Sequence, residues 1–108
     1  MGVGIETEEG QGFVRIALTG DLDVSTAPSV EERLLAIEEG GPPERVILDL
    51  SELRFIDSTG LSLLINADSR GRSAGRRVTI VSGTGAPRRI LDTTGLRSRL
   101  DIVEEAPE

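Results

Sequence analysis

Two hydrophobic periods alternate along the chain. From Gly12 to Thr19, GFVRIALT, apolar residues recur at every second position and put Val14, Ile16 and Leu18 on one face, the period of a strand with one face buried. The preceding Ile5 to Glu8 can pair with it across the polar turn EGQG, which predicts an N-terminal hairpin. Past the loop GDLDVST the period changes. Val30, Leu34 and Ile37 recur at i, i+4 and i+7 and predict a helix, with Ser25 or Thr26 as N-cap and Pro28 in the first turn. Glu31 and Glu32 suit the positive end of that helix, and GGPP stops it.

Arg45 to Leu50, RVILDL, is almost continuously apolar and β-branched, the pattern of a central strand buried on both faces. SELRFID reads as the turn that follows. Leu61, Leu64 and Ile65 then form a helical stripe, with Asp68 on the same side, that frays into a linker, RGRSAGR. Arg77 to Ser82, RVTIVS, repeats the buried-strand pattern, and Pro87 to Thr94 reads as a short helix closed by Gly95. LDIVE adds an edge strand, and EEAPE a frayed acidic tail. Strands alternating with helices predict an α/β domain: a mixed, mostly parallel sheet with an N-terminal hairpin and helices packed on it. In such sheets, binding sites gather on the rim at the carboxyl ends of the strands. The loops Gly20 to Thr26, Ser51 to Ser58 and Ser82 to Ala86 should reach that rim.

A chain of 108 residues suffices for one domain, spanning 1–108 with its core over about 3–104. Its 19 acidic against 12 basic residues leave a net charge of −7, which repels a phosphate backbone and argues against a nucleic-acid partner. Cys, His, Tyr and Trp are missing, and every basic residue is Arg. That removes thiolate and imidazole metal sites, Cys nucleophiles, Ser-His-Asp triads, Schiff-base lysines and the phosphate-loop lysine. Carboxylates alone remain for acid–base work near neutral pH, so a binding or regulatory module without cofactor or metal is expected rather than an enzyme. The start, MGVGIETEEG, lacks the basic and apolar regions of a secretion signal, and no apolar run is long enough to span a bilayer. A cytoplasmic protein is the expectation.

Two near-identical segments stand out, IDSTGL at Ile56 to Leu61 and LDTTGL at Leu91 to Leu96. The first follows a strand and precedes an apolar helical stripe, so Asp57 and Ser58 fall at a helix N-terminus on the rim. The second follows Ile90 and Leu91, so its Gly95 ends a helix in the left-handed conformation. Only the first is a site candidate. Asp and Ser there can be plain helix caps, each worth about 1 kcal/mol, with Gly60 allowing close packing. An exposed serine at a helix N-terminus is also a favourable place for a phosphate, because free N–H groups and the helix dipole stabilise the added charge, although Asp57 opposes it.

The segment VILDLSELRFIDSTGLSLL, with GDLD upstream and TTGL downstream, resembles the STAS domain of bacterial anti-sigma factor antagonists over nearly the whole chain. The resemblance implies that Ser58, the serine after Asp57 in the D-S-[ST]-G-L motif, is reversibly phosphorylated. It implies further that Asp21, Asp23, Asp57, Ser58, Thr59, Gly60 and Leu61 bind the partner, with Asp21 and Asp23 drawn from Gly20-Asp21-Leu22-Asp23. That partner would be an anti-sigma factor with a GHKL-type kinase fold, which phosphorylates the serine with ATP, while a PP2C-like phosphatase reverses the reaction. Ser62 departs from the pattern, since many relatives carry glycine there. The alternative the family offers is a non-switching scaffold or ligand-sensing subunit of a regulatory or transport assembly.

Other signals have plainer readings. Ser82 to Pro87, SGTGAP, lacks the third glycine of a dinucleotide loop and reads as a turn and helix entry. Arg70, Arg72, Arg76 and Arg77 read as a solvated helix end or, alternatively, a docking patch for an acidic partner. Asp21 with Asp23, and Asp49 with Asp57, read as turn and cap residues rather than paired catalytic carboxylates.

Overall fold

Strand β1, Val3–Gly10, turns through Gln11 and Gly12 into β2, Phe13–Leu22, and the two pair antiparallel from Val3↔Gly20 to Gly10↔Phe13. The predicted hairpin is present and longer than its apolar pattern suggested. The computed structural model describes residues 2–41 and 43–105; Pro42 of the predicted GGPP stop and Ala106 to Glu108 of the predicted tail lie outside the described residues. After the hairpin come α1 (Ala27–Glu39), β3 (Arg45–Ile56), α2 (Ser58–Ala74), β4 (Arg77–Val81), α3 (Ala86–Thr94), a 3₁₀ turn (Leu96–Ser98) and β5 (Asp101–Val103). The sheet order is β1-β2-β3-β4-β5, with all pairs after the hairpin parallel. This is the mixed, mostly parallel α/β architecture expected from the alternation of periods.

Along β2, Val14, Ile16 and Leu18 are buried while Arg15 and Ala17 are only half so, as a period of two requires. The core they enter is centred on Ile16, Leu48, Leu64 and Ile80, each with no solvent exposure.

β2 runs on through Gly20, Asp21 and Leu22, the first half of the expected loop Gly20 to Thr26, and two further boundaries differ from the sequence pattern. SELRFID is not a turn: β3 continues through it to Ile56, because β2 also continues and supplies hydrogen-bond partners up to Leu22↔Ile56. Register shifts between Ala17 and Thr19 and between Gly20 and Asp21 put Leu53 and Ile56 into the core three residues apart, which hides the strand from a period-two reading. RGRSAGR is not a linker: α2 runs to Ala74 and ends at Gly75. Gly71 is inside that helix because it lies flat on the next strand. A Cβ there would meet Val78 Cγ2 at 2.7 Å and the Arg76 carbonyl oxygen at 3.0 Å.

The arginine cluster divides: Arg72, in the last turn of α2, and Arg77 are solvent-exposed as expected of a helix end, whereas Arg70 and Arg76 are drawn into contacts with α1. Arg70 bridges α1 and α2, reaching Glu31 at 2.7 Å and Glu38 at 2.8 Å, and its hydrogen bonds to Glu38 hold its pKa above the ordinary value. Glu31, expected to serve the helix dipole, lies past the first turn and serves this bridge instead. Arg76 is buried beside Glu38, Arg72 pairs with Asp68 at 2.9 Å, and Arg77 pairs with Asp101 at 3.1 Å. Asp49 is not a turn residue but a buried strand residue bonded to Ser51 and Arg15. Asp57 stands beyond the far end of β3, past two register shifts, and the two carboxylates form no pair.

Candidate functional site

The end of β3 hands the chain to α2 at Asp57. Its extended backbone (φ −110°, ψ −171°) makes it the N-cap, and its carboxylate accepts the Gly60 N–H at 3.0 Å. The Asp57 N–H donates to the Leu22 carbonyl at 3.2 Å, tying the start of α2 to the end of β2. Gly60 fits beneath this link, since a Cβ would stand 2.7 Å from Ile56 Cγ1 and 2.9 Å from the Leu22 oxygen.

Ser58 is the first residue of α2 and is exposed. Among the described residues, the main-chain N–H groups of Ser58 and Thr59 have no hydrogen-bond partner, as the open first turn of a helix leaves them. Leu61 turns inward and joins the core, as does the backbone at Gly60. The outward-facing part of the motif is therefore Ser58 and the half-buried Thr59, with Asp57 below them. Thr59 also borders a hollow of about 200 Å³ between α1 and α2.

The neighbouring loop is held from within. Asp23 Oδ1 accepts from the Ser25 hydroxyl at 2.7 Å, the Ser25 N–H at 3.0 Å and the Thr26 N–H at 3.2 Å. The Ser25 hydroxyl bond is the main reason the Asp23 carboxyl sits below the usual range. Thr26 occupies the N-cap position of α1 but does not cap it with its side chain; its hydroxyl donates to the Asp21 carbonyl at 2.8 Å. Asp21 in turn accepts from Arg54 Nε at 3.1 Å. Asp21 pairs with Phe55, and Leu22 with Ile56, so Asp21, Asp23, Asp57, Ser58 and Thr59 gather at one end of the β2–β3 pair.

Two residues here escaped the sequence reading. Val24, at the tip of the Asp23 loop, is 71 % exposed, and Phe55 on β3 is 49 % exposed. Apolar residues inside segments taken for loops were the available signal. The second segment, LDTTGL, has the opposite role: Gly95, with φ of 76°, closes α3, and the Thr94 hydroxyl donates back to the Ile90 carbonyl at 2.8 Å. Among the described residues, no group of His, Cys, Asp and Glu is placed to hold a metal ion, and no helix is long and apolar enough to cross a membrane.

The family model described as the STAS domain matches residues 4–106. The chain belongs to the STAS domain family. The anti-sigma-B factor antagonist of Staphylococcus epidermidis is 29% identical to this STAS domain over 104 residues, covering 96% of this chain and 95% of that one. A crystal structure of an anti-sigma factor antagonist from Mycobacterium paratuberculosis superposes with a TM-score of 0.81 at 26% identity, covering 95% of this chain and 86% of that one. The Bacillus cell fate determinant SpoIIAA in its phosphorylated form shares the fold with a TM-score of 0.71 at 21% identity, covering 94% and 93% of the two chains.

Proposed function

We propose that this STAS domain is an anti-sigma factor antagonist switched by phosphorylation of Ser58. The observation that carries the reading is the exposed Ser58 hydroxyl on the open first turn of α2, beside unpartnered N–H groups and on the rim that also holds Asp21, Asp23 and Thr59. The naming of its relatives as anti-sigma factor antagonists supports it.

In this reading the unphosphorylated rim binds an anti-sigma factor with a GHKL-type kinase fold, and a sigma factor is released. The kinase then transfers the γ-phosphoryl group of its ATP: the Ser58 oxygen bonds to phosphorus, the bond to the ADP oxygen breaks, and the hydroxyl proton passes to a base on the kinase. The new phosphate is held at the helix N-terminus without refolding the domain. It places a dianion next to Asp57, and burying it unpaired in an interface costs several kcal/mol. At about 1.4 kcal/mol per tenfold, that is enough to dissociate the complex. A PP2C-like phosphatase hydrolyses the ester and restores the binding form.

The test is binding of wild type, Ser58→Ala and Ser58→Asp to the purified anti-sigma factor kinases of the source cell, followed by ATP and intact-mass measurement. Ser58→Ala should bind, Ser58→Asp should not, and wild type should gain one phosphate on Ser58. Equal behaviour of all three proteins without phosphate transfer would leave IDSTGL as a helix cap only.

A further inference from the structure

We propose that Val24 and Phe55 are the apolar anchors by which the rim grips its anti-sigma factor, and that this partner meets them with an apolar patch ringed by cationic groups. The inference rests on the reading of Ser58 as the switch and adds the chemistry of the contact.

Among the described residues three large apolar side chains are exposed: Val24 at 71 %, Phe55 at 49 % and Leu35 at 36 %. Two of the three lie at the Ser58 end of the sheet. Phe55 sits opposite Asp21 in the parallel ladder, Val24 follows Leu22 by two positions, and Ser58 follows Ile56 by two, so all three leave the same pair of strand ends. A partner that docks on this end of the β2–β3 pair to reach the Ser58 hydroxyl finds them at the same strand ends. An exposed phenylalanine is costly for a chain with only two, and it is the kind of rigid side chain that dominates interface energetics.

Both anchors are held in place before binding. Phe55 is fixed on a strand paired with β2. Val24 rides on a turn closed by Asp23 through the Ser25 and Thr26 N–H groups, while the Asp23 N–H donates to Thr26 Oγ1 at 2.9 Å and Thr26 bonds back to Asp21. Little conformational entropy is left to lose when a partner covers them. Charge supplies the rest of the argument. Asp21, opposite Phe55 in the ladder, Asp23, next to Val24, and Asp57, beside Ser58, give this rim acidic side chains, and Arg54, which precedes Phe55, is already bonded to Asp21. A complementary surface carries positive charge around an apolar centre, the usual anatomy of a specific interface. A phosphate on Ser58 adds to the negative side of this rim and lands beside surface that the partner needs dry.

Titration calorimetry of the whole chain against the purified anti-sigma factor kinases of the source organism tests the inference. Val24→Ser and Phe55→Ser should each raise Kd at least about tenfold, Phe55→Leu should restore most of the loss, and Leu35→Ser, on the outer face of α1, should leave Kd unchanged. Thermal unfolding of each variant confirms that the fold is kept. If wild type binds and both serine variants bind within twofold of it, the anchors are refuted while the switch stands. If wild type binds none of the kinases, the switch and the anchors fall together.

Discussion

Gly60 and Leu22 meet so closely that the first turn of α2 has no room for a methyl group: a Cβ on Gly60 would lie 2.9 Å from the Leu22 carbonyl oxygen and 3.0 Å from Leu22 Cγ. That same oxygen accepts the Asp57 N–H at 3.2 Å. The motif glycine is thus required by packing against another strand rather than by an unusual backbone angle.

Gly60→Ala should therefore destabilise the domain, although alanine is intrinsically better in a helix by about 1 kcal/mol. Forcing a methyl against a main-chain carbonyl outweighs that gain, for a net loss of about 1–3 kcal/mol. Urea unfolding should show a lower midpoint with an unchanged slope.

Asp57→Ala removes the acceptor of the Gly60 N–H and should cost about 1 kcal/mol. Asp57→Asn keeps an oxygen in the same place and should lose less. Comparing the two by thermal unfolding separates capping from charge.

Arg70 holds Glu31 and Glu38 together across α1 and α2 with its side chain 30% exposed. Arg70→Met leaves Glu38, only 12% exposed, facing Arg76 alone at 3.9 Å. With solvent screening taken into account, the loss should be about 1–2 kcal/mol. A double-mutant cycle with Glu38→Gln should return a coupling of the same sign, and Arg72→Met, on an exposed pair, should cost less.

Asp49 predicts a pH dependence. Burial raises its pKa, but hydrogen bonds from the Ser51 hydroxyl and N–H and the Arg15 guanidinium outweigh it, and the net direction is downward from 3.8. A depressed folded pKa gives stability that is present above the unfolded value and lost as pH falls through the folded one. Wild type should weaken as pH drops below about 4, and Asp49→Asn, less stable at pH 7, should show a shallower loss over that acid range. Denaturation midpoints measured at pH 7 and pH 3 decide it.

The rim was legible in the sequence because capping chemistry is local. Asp57 and Ser58 announce a helix start wherever the strand before them ends, and Gly95 announces a helix stop. What stayed hidden depends on partners distant in the chain. Ser51 to Ile56 extends as strand because β2 does, and its bulges break the alternation that would have marked it. The same extension places Phe55 on a strand at the rim, which a turn reading of SELRFID does not anticipate. RGRSAGR looks like a linker until Gly71 meets Val78, and Asp49, although inside the expected strand, has no visible partner until Arg15 of the neighbouring strand reaches it.

The link from Asp57 to Leu22 has a kinetic consequence. It ties the loop carrying Val24 to the helix start carrying Ser58, so the two segments present one preset surface. Under the proposed switch, phosphorylation then needs no rearrangement of these segments, and the lifetime of a complex would be set by how fast the interface parts and how fast phosphate is added or removed. A stopped-flow trace of partner release after phosphorylation should accordingly follow a single exponential, with no lag for refolding.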